Sequence, residues 1–101
     1  MSNSFKGNPI FLDDFSSAID VCASLGFATG TPLKVKSIEW AYPASLNDTA
    51  LITDKASGRP IFKETCFVAK QNIALNIESW VDNLYIAASG VGSGAILIFL
   101  M

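Results

Sequence analysis

The apolar residues of this chain come in short blocks separated by Gly, Pro, Asn, Asp and Ser. Nowhere do they recur over a long stretch at the three-to-four-residue spacing that lets a helix bury one face. That punctuation predicts an all-β chain: one small antiparallel β-sandwich, jelly-roll or Ig-like, of about eight short strands. At 101 residues the chain can hold one core and not a second.

The clearest strand is Leu33 to Tyr42. Leu33 and Val35 alternate with Lys34 and Lys36, and then Ile38 and Trp40 take over on the opposite parity. A strand side chain changes face at every residue, so a parity shift near Lys36-Ser37 predicts a β-bulge there. Ala50 to Asp54 and Pro60 to Cys66 flank the polar connection Lys55-Ala-Ser-Gly-Arg59 and read as a β-hairpin, with Pro60 at a strand start where a missing donor is tolerable. Further strands are expected at Pro9 to Leu12, at Ser17 to Cys22 with Ile19 and Val21 on one face, and at Asn72 to Ile77 with Ile73, Leu75 and Ile77 on one face. Leu84 to Ala88 completes that set. Gly26 to Pro32 reads as a loop, Ala69 to Gln71 as a polar connection or helical turn, and Trp80 as part of a polar turn, Glu78 to Asn83. Residues 1–16 form an N-terminal arm or first strand, and residues 17–101 the sandwich proper.

The final run, Ala95-Ile-Leu-Ile-Phe-Leu-Met101, is apolar at every position, so both faces of that strand call for cover. One face belongs to the opposite sheet; the other is covered either by the N-terminal segment or by a neighbouring subunit. Seven residues fall far short of the roughly 20 that span a bilayer as a helix, so no membrane segment is expected. The start of the chain lacks a basic region followed by an apolar stretch, and folding in the cytoplasm follows as the expectation. In that compartment Cys22 and Cys66 read as reduced, buried small hydrophobes.

Charged residues make up 16% of the chain against about 25% in an average domain, and the mean hydropathy is +0.40. So apolar a surface suits a protein covered by partners. The formal charge of -2 and the scattered lysines offer no basic stripe for nucleic acid. With no histidine, the commonest general base and metal ligand is missing. Two cysteines alone do not make a usual structural zinc site. Asp13, Asp14, Asp48 and Asp54 match no calcium-loop spacing and read as turn residues. Ser89, Cys22 and Cys66 have no neighbour in sequence that would activate a nucleophile. The glycines of Ser89-Gly-Val-Gly-Ser-Gly94 precede a strand rather than a helix and lack a following lysine, unlike a phosphate loop. No catalytic, cofactor-binding or metal-binding residues are therefore assigned. Trp40, Tyr42, Trp80 and Tyr85 read first as core or subunit contacts and second as a stacking surface of a carbohydrate- or receptor-binding module.

At Lys34-Val-Lys-Ser-Ile-Glu-Trp40, Leu51-Ile-Thr-Asp54, Gly58, Ile61-Phe62, Trp80, Asp82-Asn-Leu-Tyr85 and Ser93-Gly-Ala-Ile-Leu-Ile-Phe99, the chain resembles a group of small β-sandwich virion structural proteins of tailed bacteriophages. The likeness covers about residues 33–101, and the Asn8-Pro-Ile-Phe-Leu-Asp13 opening is similar to that group as well. Asn83 stands where glycine is expected and Phe99 where tyrosine is usual. The resemblance implies a homo-oligomeric protein of the virion, without chemistry of its own, that packs against the major capsid protein or other virion proteins. Capsid decoration or cement is the first expectation, and a tail or head-tail connector component the alternative. Candidate intersubunit contacts are Phe5, Phe11, Phe15, Ile96, Ile98 and Leu100.

Overall fold

A computed structural model of the chain describes residues 3–5, 7–27, 32–54, 59–67, 72–81 and 84–101. Eight strands and one short helix follow in the order β1 (Ile10–Leu12), β2 (Ile19–Asp20), α1 (Val21–Leu25), β3 (Leu33–Ala41), β4 (Thr49–Thr53), β5 (Pro60–Thr65), β6 (Ile73–Val81), β7 (Tyr85–Ile86) and β8 (Ala95–Leu100). They form two four-stranded antiparallel sheets, β1-β8-β3-β6 and β2-β7-β4-β5.

The pairing is nested: β1 lies against β8, β2 against β7, β3 against β6 and β4 against β5. This is one long antiparallel hairpin rolled over on itself, which is the jelly-roll topology and not the Ig arrangement. The β4-β5 hairpin is present as the sequence indicated, although its connecting residues 55–58 lie outside the described residues. The expected connection at 69–71 and part of the loop before Pro32 also lie outside them.

The two inner faces meet in one apolar core built around Trp40, Phe62, Ile38, Ile52, Ile96 and Ile98, each no more than 1% exposed. The surface area of 5548 Å² matches the about 5,500 Å² expected of a folded chain of this mass. The parity shift in β3 appears as forecast, because its register against both β6 and β8 slips between Val35 and Ser37. Leu33 and Val35 point inward before the slip, and Ile38 and Trp40 point inward after it.

Two local expectations are corrected. The segment read as a strand from Ser17 to Cys22 ends at Asp20, and Val21–Leu25 is a helical turn. The Asp20 carboxylate accepts from the Ala23 N–H at 3.1 Å, and Gly26 closes the turn at a φ of 88°, so cap and stop signals override the alternation of Ile19 and Val21. Trp80, read as part of a turn, belongs to β6. Glu78 takes a φ of 48° where two β6 residues, Ile77 and Glu78, lie opposite Lys36, and this irregularity lets the strand run on to Val81.

The N-terminal residues are tied into the first sheet rather than laid over it. The Asn3 side chain accepts from the N–H groups of Asp13 and Asp14 at 2.8 and 2.9 Å and donates to the Asp14 carbonyl at 3.0 Å. Asn8 imitates a strand residue beside β8, donating to the Leu100 carbonyl and accepting from its N–H, both at 2.9 Å. Among the described residues, no helix is long and apolar enough to cross a membrane.

Ile98, fully buried and paired on both sides with Ile10 and Ile38, tests this packing. Ile98→Ala should cost about 2–5 kcal/mol in urea unfolding, whereas Leu97→Ala on the outer face of the same strand should cost clearly less.

Candidate interaction surface

Strand β8 is apolar on both sides, and its two sides meet different environments. Ile96 and Ile98 point into the core, while Ala95, Leu97 and Phe99 point to the outer face and stay half-exposed. The register sets Leu97 between Phe11 of β1 and Glu39 of β3, and Ala74 of β6 follows beside Glu39. Phe99 lies beside Ser37, and Ala95 beside Ala41. The sequence left open whether the N-terminal segment covers this face. Its described residues do not: β1 joins the sheet edge-on beside β8, and Phe11 extends the apolar row at 38% exposure.

A shallow groove of about 620 Å³ runs over this face. Phe11, Leu97, Ala95, Ala41 and Tyr42 form its apolar lining, and Asp13, Glu39 and Asn72 stand at its polar rim. Tyr42 has a φ of 52°, and its backbone N–H donates to Asn72 Oδ1 at 2.9 Å, which fixes the end of β3 beside the groove. Asn72 Nδ2 reaches Glu39 Oε2 at 3.5 Å. At the far end of the sheet the Lys34 ammonium lies 5.9 Å from the centre of the Trp80 ring.

Of the six residues singled out as contacts, Phe11 alone projects prominently. Ile96 and Ile98 are fully buried and Phe15 is 8% exposed, so all three serve the chain's own core; Phe5 and Leu100 are half-buried against it. The outward residues of β8, Leu97 and Phe99, are the ones sequence reasoning missed. An all-apolar strand carries no alternation of its own, and its facing is legible only through β3 beyond the bulge.

The four large polar aromatics do not form a platform. Trp40 is buried and donates from Nε1 to the Ser93 carbonyl at 2.8 Å. Tyr42 and Trp80, 67% and 63% exposed, stand at opposite ends of the β3-β6 pair, roughly 25 Å apart at the usual rise per residue. Tyr85 belongs to the other sheet.

The carboxylates serve turns. Asp14 accepts from both the hydroxyl and the N–H of Ser16, at 2.7 and 3.1 Å, which holds its carboxyl below the usual value. Asp48 Oδ2 accepts from the Ser93 hydroxyl at 2.6 Å, and the same hydroxyl accepts from the Ala44 N–H at 2.8 Å. Asp54 is 3% exposed. Asp13 Oδ1 is shielded from solvent and has no hydrogen-bond partner among the described residues. Among those residues no three His, Cys, Asp or Glu side chains stand together as metal ligands could. The glycines after Ser89 are required by packing. A Cβ on Gly94, whose φ is 77°, would lie 2.5 Å from the Ala41 carbonyl oxygen, and one on Gly92 would lie 2.9 Å from Asp48 Cγ. The chain enters β8 directly from Gly94, so no helix start faces this loop.

Cys22 and Cys66 are buried, and neither is in a disulfide among the described residues. Burial pushes the Cys22 thiol above its ordinary value, and the Asp20 carboxylate adds to the shift. Comparison with protein-family models, with curated proteins and with solved structures finds no match to this chain.

Two measurements check this geometry. Trp80→Phe should leave only the buried Trp40, with blue-shifted emission that acrylamide quenches weakly. For Cys22, the unfolded thiol loses its proton first, so its contribution is intact below about pH 8.5 and is lost as pH climbs through the raised folded value. Urea midpoints of the natural chain should therefore fall more between pH 8 and 10 than those of Cys22→Ala, at roughly the pH range set by a thiol.

Proposed function

We propose that this chain is a non-enzymatic structural protein of a tailed-bacteriophage virion, a decoration or cement protein that packs the outer face of its first sheet against the major capsid protein. The observation that carries the reading is the apolar row of Phe11 and Leu97, with Phe99 and Ala95 beside it, on a face that the described N-terminal residues leave open. A row of this kind with a polar rim has the anatomy of a protein interface, in which a desolvated centre is surrounded by groups that stay wet. The likeness to small phage virion proteins supplies the partner class.

The jelly roll agrees with that reading without selecting it, since viral capsid domains, lectins and cupins share the architecture. The separation of Tyr42 from Trp80 and the burial of Trp40 leave a sugar-stacking function without a common surface. Low charge and short strands suit a part used in many copies, where modest single contacts add up through avidity.

The test is co-sedimentation of the purified chain with empty phage-like capsids, with its own mass followed by light scattering. A discrete oligomer that sediments in many copies per shell is the expected result. A chain that stays in the supernatant, or forms one ring that ignores shells, overturns decoration and points to the tail or connector. Phe11→Ser combined with Leu97→Ser should weaken shell binding by at least about tenfold, as loss of a central apolar anchor does, while unfolding stays cooperative.

A further inference from the structure

The two sheets leave four edges, and three of them are blunted. The outer edge of β1 is closed by an antiparallel bridge in which Ser4 and Phe11 exchange backbone hydrogen bonds of 2.8 and 2.9 Å. Strand β2 is two residues long and runs straight into α1. Strand β5 starts at Pro60, carries Lys63 and Glu64, and its ladder with β4 slips between Ile52 and Thr53. The fourth edge, β6, is nine residues long, has no proline and one charged residue, and none of its residues is fully buried. Among the described residues no strand lies beyond it.

Sheets protect long edges because a row of unpaired backbone groups recruits another strand. Strand β6 protects only its second half, with Glu78 in the left-handed region at the register slip and Lys34 over Trp80. The first half, Ile73-Ala-Leu-Asn-Ile77, carries no such device. Its alternation puts Ile73, Leu75 and Ile77 on the core side, yet Leu75 is 39% exposed because it stands at the open margin of the sandwich.

We infer that this half-strand is a self-pairing edge, along which β6 of one copy joins β6 of a second copy, antiparallel, about a two-fold axis at Leu75. In that register Leu75 faces Leu75 of the second copy, Ala74 faces Asn76 and Ile73 faces Ile77, so the ladder stops short of the left-handed Glu78. Opposed residues share a face at every position, and apolar pairs meet on the core side. No like charges are opposed. A one-residue slip sets core-side residues against outer-face residues. A two-residue slip toward the C-terminus places Ala74 against Glu78 and draws the irregular backbone into the ladder. This self-complementarity is the reason to assign a second copy of the chain rather than an unrelated strand. The joined sheet would run through eight strands, four from each copy, and its outer apolar face would double in extent. The inference rests on the edge alone and not on the decoration role.

So short a ladder buries less than the roughly 1,200 Å² of a standard stable interface, so cross-linking reads it better than mass alone. The experiment compares Leu75→Cys with Lys63→Cys on the blunted edge, each in the full chain without shells, under mild oxidation by glutathione. Directly opposed Cβ atoms lie close to disulfide distance. Leu75→Cys should form a covalent dimer at least about tenfold faster than Lys63→Cys, as expected when two groups are held opposite one another, and the natural chain, with both thiols buried, should form none. Sedimentation of the natural chain at rising concentration should show a monomer-dimer equilibrium that Leu75→Lys abolishes while its circular dichroism is unchanged. Equal cross-linking rates at the two edges, or a natural chain that stays monomeric to about 1 mM, overturn the inference. Shell binding in either case reports on the decoration role separately.

Discussion

The rest of the sandwich depends on the slip in β3 between Val35 and Ser37. This nine-residue strand is paired along both sides, to β6 and to β8, and so sets the facing of half the first sheet. Without the extra residue, the side chains beyond Lys36 would change places: Ile38 and Trp40 would point to solvent, and Ser37 and Glu39 into the core. Because β8 takes its register from β3, the same slip decides that Ile96 and Ile98 are buried and that Leu97 and Phe99 look outward. One local irregularity thus defines both the core and the apolar outer face. Trp40 anchors it: the indole is fully buried, and its N–H satisfies the Ser93 carbonyl in the turn that leads into β8.

Nested pairing adds a second constraint. Since β1 closes against β8, the sheet is complete only when the two ends of the chain have met, and the closing contacts come late in any order of assembly that begins at the β4-β5 hairpin. Side-chain amides secure that closure. Asn8 supplies a donor and an acceptor to Leu100 just beyond the last backbone pair, and Asn3 gathers the N–H groups of Asp13 and Asp14, which have no strand to bind them. The polar residues near the start of the chain serve as substitutes for backbone pairing, which composition alone does not show.

The sequence carried the all-β class, the hairpin and the bulge, because each leaves a period-2 trace in neighbouring residues. It did not carry α1, since five residues are too few for a helical period and the relevant signals, Asp20 and Gly26, resemble ordinary loop punctuation. It did not place Trp80 in a strand, because the polar residues around Glu78 hide a strand that continues through a left-handed residue. Sheet order was also out of reach, since it depends on pairs distant in sequence. The surface was legible in part. Phe11, Phe15, Ile96 and Ile98 read alike as candidate contacts, yet Phe11 is exposed and the other three belong to the core. Facing, which separates the two groups, is a property of the paired sheet and not of any one strand.

The apolar composition that first suggested a covered surface now has two distinct outlets. One is the outer face of the first sheet, where side chains stand clear of the core; the other is the first half of β6, beyond which no strand lies among the described residues and where Leu75 is exposed. They differ in what they ask of a partner. A face accepts any surface of matching shape, while an edge demands an extended strand in a fixed register. Because the edge is perpendicular to the face, occupying one leaves the other free. Pairing along β6 would also set two copies of the face side by side in one sheet, so that a weak contact made by either copy is reinforced by its neighbour. A chain too small to bury all its apolar surface can in this way use what is left over to build an assembly.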